Sequence, residues 1–125
     1  MKTILTLLTV LLLCSSTSAQ KKELIQDKET ILARAAQVLD AEMRAGGSLH
    51  AAVVKEDLIG RYVLQVSIRD KGDISSVFVV SAEGHDTRSQ NRFKDLVHFT
   101  ELPFKMPKGR HYRLEHTFDL NTIAR

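Results

Sequence analysis

Between Arg61 and Leu120 the chain changes its hydrophobic period twice, and that order limits its fold more than any other feature. Tyr62, Leu64, Val66 and Ile68 alternate with Val63, Gln65 and Ser67, the period of a strand. Asp70–Lys71–Gly72–Asp73 reads as a turn, with Gly72 free to take a positive φ. Ile74, Ser76, Phe78 and Val80 then alternate with Ser75, Val77, Val79 and Ser81. Apolar residues on both sides predict a central strand covered on both faces. The pair makes an antiparallel hairpin. Asp86 is placed as an N-cap for a helix over Thr87–Thr100, with Phe93, Leu96, Val97 and Thr100 as its buried stripe. Pro103 and Pro107 stop it. After Lys108–Gly109, Tyr112, Leu114, His116, Phe118 and Leu120 alternate with Arg113, Glu115, Thr117 and Asp119, a clean amphipathic strand. A β-β-α-β order predicts a small sheet with a helix on one face and edges open to another chain.

The first residues read as an export signal. Lys2 is basic, Ile4–Leu13 is an apolar run of about ten residues, and Thr17 and Ala19 are small, so cleavage is expected before Gln20. A spanning helix needs about twice that apolar length. Cys14 offers a lipoprotein alternative, although Leu13 before it is larger than that cleavage prefers. The remaining domain, 20–125, has no cysteine, which favours a bacterial periplasm or a secreted state without disulfides. Losing Lys2 from 18 basic residues leaves 17 against 15 acidic ones, too even for a nucleic-acid partner.

Ahead of the hairpin, Leu24, Ile25, Ile31, Leu32, Ala35, Val38, Leu39 and Met43 recur at helical spacing. They predict an amphipathic helix over Glu23–Ala45, ended by Gly46–Gly47. Leu49–Val54 reads as a short strand or extended lead-in, a possible fourth strand, and Lys55–Gly60 as a loop. The class is α+β: a three-stranded, or four-stranded, antiparallel sheet with an added N-terminal helix.

In their order, these pieces resemble the C-terminal domain of TonB-type energy transducers. The carriers are Val63–Ile68, Asp70–Lys71–Gly72, Val77–Ser81, Gly84, Phe104–Lys105–Met106–Pro107, Gly109 and Phe118–Asp119–Leu120. The chain departs from that family in having only two prolines, so no Pro-rich linker, and in its leading helix; the family's Tyr–Pro stretch before the first strand is missing too. The resemblance implies a free-standing sheet module that recognises an extended segment of a protein partner, such as an outer-membrane receptor or envelope protein, without the membrane anchor.

The residues themselves point the same way. If the last strand is an edge, its backbone can accept a peptide by β-augmentation. Arg110, Tyr112, Arg113, Leu114, Glu115, His116 and Thr117 are the candidate protein-binding residues. The alternative is an edge covered by Leu49–Val54 or by a second copy in a homodimer. Lys105, Lys108, Arg110 and Arg113 form a basic segment suited to an acidic partner or anionic head groups, and equally to guarding an edge.

Other chemistries find less support. His111 and His116 are five apart on one strand and face opposite ways, and His50, His85 and His98 lie in separate elements. A zinc site needs three or four converging ligands. No serine sits in a G-x-S-x-G elbow. Asp70, Asp73, Glu83 and Asp86 crowd the two ends of the hairpin, where solvated turn carboxylates are common. The expectation is no catalytic residue, no cofactor and no metal. The competing class is a small-molecule or lipid carrier, which requires an enclosed apolar cavity between sheet and helices.

Overall fold

The computed structural model describes residues 22–123; the expected signal and its cleavage site lie outside them. Elements run β1 Glu23–Leu24, α1 Lys28–Met43, α2 Ser48–Glu56, β2 Arg61–Arg69, β3 Ile74–Glu83, α3 Thr87–His98, β4 Phe104–Lys105 and β5 His111–Asp119. Strands β3, β2 and β5 form an antiparallel sheet in that order, and β1 pairs with β4 in a separate parallel pair. The class is α+β, as the patterning predicted. Among the described residues, no helix is long and apolar enough to cross a membrane.

One face of the sheet is packed. Tyr62, Leu64, Val66 and Ile68 of β2 are all buried on that face, while the intervening Val63, Gln65 and Ser67 are half-buried. Ile31, Ala35 and Leu39 of α1, Leu49 and Val53 of α2, and Phe93 and Val97 of α3 meet them in one core. Helix α1 lies against β5 and α3 against β3. Phe93 stacks on Tyr62 at 5.7 Å between centroids and meets Phe118 edge-on at 5.2 Å, so one ring ties α3 to β2 and β5. The Tyr62 hydroxyl donates to Ile59 O at 2.6 Å, and burial, with Asp86 nearby, pushes its pKa up.

Caps set the helix starts. Asp27 accepts from the Thr30 amide at 2.9 Å, which starts α1 at Lys28. Asp86 accepts from the Ser89 amide at 2.6 Å, the expected N-cap of α3.

Five expectations are corrected. The leading helix does not begin at Glu23: Glu23–Leu24 is extended and pairs with Phe104–Lys105, and Ile25 N–H donates to Lys105 O at 2.9 Å. The stretch read as strand Leu49–Val54 is helix α2, so no fourth strand joins the sheet, and the loop begins only after Glu56. Its apolar residues fit both periods; Leu49 and Val53, four apart, are the buried pair. Helix α3 ends at His98 rather than Thr100. The strand expected in the centre, β3, lies on an edge, and β2 is central. The Gly46–Gly47 stop falls two residues late, because Arg44 already caps α1 in an extended conformation.

Gly72 is required where it stands. Its φ is +86°, and a Cβ there would meet Phe104 O at 2.1 Å. The close approach lets the Leu102 amide reach Gly72 O at 2.9 Å, holding the post-helix segment against the hairpin turn.

Candidate protein-binding edge

β5 ends the sheet, and among the described residues no strand pairs on its far side. Its register with β2 runs without a shift from Arg61↔Asp119 to Arg69↔His111. In antiparallel pairing, alternate residues turn their N–H and C=O toward each neighbour. The Arg69 amide donates to Asp73 O at 2.9 Å, so Arg69 faces β3. The Leu120 amide donates to Gly60 O at 2.9 Å, so Gly60 faces β5. Even-numbered residues of β2 therefore bond Tyr112, Leu114, His116 and Phe118. The backbone groups of His111, Arg113, Glu115, Thr117 and Asp119 point outward from the edge.

This parity divides the predicted site residues into two sets. Arg113, Glu115 and Thr117 present their backbone to the edge and their exposed side chains to the open sheet face. Tyr112, Leu114 and His116 are half-buried and face the helices. They stay incompletely covered because no strand lies beyond them. Lys28 Nζ sits 5.7 Å from the Tyr112 ring centroid, and His116 Nε2 lies 2.8 Å from Asp40 Oδ1. The exposed Arg110 donates to the Tyr112 hydroxyl at 2.9 Å and closes the strand's basic end. Charge runs along the edge, from Arg110 and Arg113 at one end to Glu115 and Asp119 at the other.

At the acidic end an open groove of about 370 Å³ lies between the helices and β5, lined by Asp40, Met43, His50, Thr117 and Asp119 among others. It is a surface groove and not an enclosed cavity. The periodicities gave no sign of the Asp40–His116 contact, which joins residues 76 apart. Ser89 was missed as well. It is buried on α3, and its Oγ accepts from the Ile59 amide at 3.1 Å.

The carboxylates considered for acid–base work are held in structural roles. Asp70 accepts from the Gly109 amide at 2.9 Å, which, with a lesser part from the Lys71 amide, holds its pKa below the ordinary range against the opposing effect of burial. Asp73 is lowered by its ion pair with Arg69, and Asp86 by the Ser89 amide it caps. β3, ten residues long and ending at Glu83, sets Asp73 roughly 30 Å from Glu83 at strand rise, with Asp86 beyond that far end. Among the described residues, no group of three or more His, Cys, Asp or Glu side chains converges to hold a metal.

The chain matches no protein-family model, no curated protein and no solved structure.

Proposed function

We propose that the protein is an exported, periplasmic protein-binding module, similar to a free-standing TonB C-terminal domain, that takes an extended segment of a partner onto β5. One observation carries this reading: β5 is the outer strand of the sheet, with a regular register and no neighbour on its far side among the described residues. An added strand would bond the outward groups of Arg113, Glu115 and Thr117. Its helix-facing side chains would complete the cover over Tyr112, Leu114 and His116.

A second copy is the competing occupant, and the edge supplies a specific reason. Antiparallel self-pairing about Leu114 sets Arg113 opposite Glu115 of the partner twice, joining opposite charges in hydrogen-bonded positions. The two occupants exclude each other on one edge.

A proline placed by parity tests the reading. Glu115→Pro removes an outward donor and leaves the β2 ladder intact. It is expected to fold and to lose partner capture from an envelope extract. Light scattering of wild type and Glu115→Pro reports whether the lost partner is a second copy. A folded Glu115→Pro variant that captures the same partner as wild type overturns the edge-pairing reading.

A further inference from the structure

We propose that the hairpin-turn end of the molecule, remote from the middle of the β5 edge, is a docking surface for an anionic lipid bilayer. A shallow groove of about 340 Å³ there is floored by Leu24, Met106 and Pro107 and ringed by Lys71, Lys105 and Lys108. The chain builds it from segments far apart in sequence. Pairing of β1 with β4 sets Leu24 opposite Lys105. The Met106 amide donates to Asp70 O at 2.7 Å, fixing β4 against the turn that carries Lys71. Lys22 Nζ donates to Lys71 O at 3.0 Å and adds a fourth cation.

The charge of this surface is balanced only in part from within, by Asp70, which lines the groove beside Lys71. Asp70 is engaged with the Gly109 amide, Asp73 with Arg69, and Glu23 with Arg34 at 3.6 Å. No ion pair among the described residues engages Lys71, Lys105 or Lys108. One exposed apolar side chain stands in the groove: Leu24 is 48% exposed. An exposed aliphatic anchor among lysines matches a surface that rests on head groups with its apolar group dipped below them.

A bilayer fits better than an acidic peptide. The cations lining the groove are ammonium points on flexible stems, and the guanidinium of nearby Arg110 is turned to the Tyr112 hydroxyl. The groove is shallow, and its lining includes no buried polar side chain to orient a peptide.

The chain contains no tryptophan, so Leu24→Trp places a single reporter on the proposed surface. With vesicles of phosphatidylcholine and one-third phosphatidylglycerol, its emission is expected to shift to the blue. With phosphatidylcholine alone it is expected to stay put, and high salt should reverse the shift. In the Leu24→Trp background, Lys71→Gln, Lys105→Gln and Lys108→Gln together are expected to weaken the response roughly a hundredfold, at about fivefold per lysine. All three are exposed, so the melting curve should be unchanged. No shift with anionic vesicles, an equal shift with neutral ones, or an undiminished response in the triple variant overturns the proposal. So does a response to an oligoglutamate peptide but not to vesicles.

Discussion

Strands β3 and β5 both end the sheet, yet their backbones differ. Across β5 every residue of β2 from Arg61 to Arg69 has one partner in step. Across β3 the register slips twice. Val63 pairs with Ser81 and Leu64 with Val79, leaving Val80 over; Ser67 pairs with Ser76 and Ile68 with Ile74, leaving Ser75 over. Each extra residue is a bulge that raises the local twist and interrupts the row of outward groups. β3 also carries the more apolar surface, with Phe78 at 65% and Val80 at 47% exposure. The edge with the greasier side chains is the one whose backbone is spoiled as a template, and the edge with charged side chains keeps a regular one. Bulges and charges are two separate means of managing an edge. On β5 the charges of Arg113 and Glu115 stand on the sheet face and leave the backbone row clear.

Both edges rest on one core, and the largest expected effect removes the contrast altogether. Phe93→Ala deletes the ring shared by Tyr62 and Phe118. The expected loss is about 3–5 kcal/mol. For a domain near 100 residues that lowers the thermal midpoint by more than about 10 °C, seen by circular dichroism. A loss under about 1 kcal/mol would mean the core closes around the gap and the edges do not depend on this ring.

A proline comparison sharpens the reading of β5. Leu114→Pro removes a donor aimed at Val66 and leaves that carbonyl short of a partner, a cost on the order of 1–3 kcal/mol in urea unfolding. Glu115→Pro removes a donor aimed outward and is expected to cost clearly less. Equal losses would break the parity on which the edge assignment depends.

These elements were unequally legible in the sequence. β2, the Asp70–Asp73 turn, the Asp86 cap and β5 follow from residues close together, so period and turn chemistry find them. The position of β3 does not. Val77 and Val79 face the helices, while Phe78 and Val80 face solvent, and a run apolar on both sides looks like a strand covered twice. Only the bulges, which depend on pairing partners, show the difference. Strand β1 is equally hidden. Two residues carry no period, and Leu24–Ile25 fitted the helical stripe until Asp27 placed the cap. The edge status of β5 depended on where 49–54 went, and a run of Leu, Ala and Val suits helix and strand alike.

Acid separates the supports behind the two edges more gently. Asp27 starts α1, which lies against β5, and Asp86 starts α3, which lies against β3. The Thr30 hydroxyl and amide hold the Asp27 carboxyl below its ordinary 3.8, and the Ser89 amide does the same for Asp86. Both folded values lie below the unfolded ones. Their stabilisation is therefore present above about pH 4 and lost as pH falls through the folded values. Wild type should lose stability on that acid limb, and Asp27→Ala or Asp86→Ala should each flatten part of it. Hydrogen exchange should show α1 loosening first in one variant and α3 in the other. An unaltered acid limb in both would remove the caps from the account.

The smallest expected effect bears most directly on the contrast between the edges. Phe78 lies on β3, on the open face, in register with Gln65. Phe78→Lys is expected to change stability by no more than about 0.5 kcal/mol, since the ring is 65% exposed. If β5 is the recognition edge, partner capture should survive the change, and only non-specific self-association through the exposed ring should fall. Loss of capture with unchanged stability would move recognition to β3, where side chains and not an unbroken backbone row would have to select the partner. The two edges would then have exchanged roles, and the regular backbone of β5 would need another occupant, for which the Arg113–Glu115 match between two copies is ready.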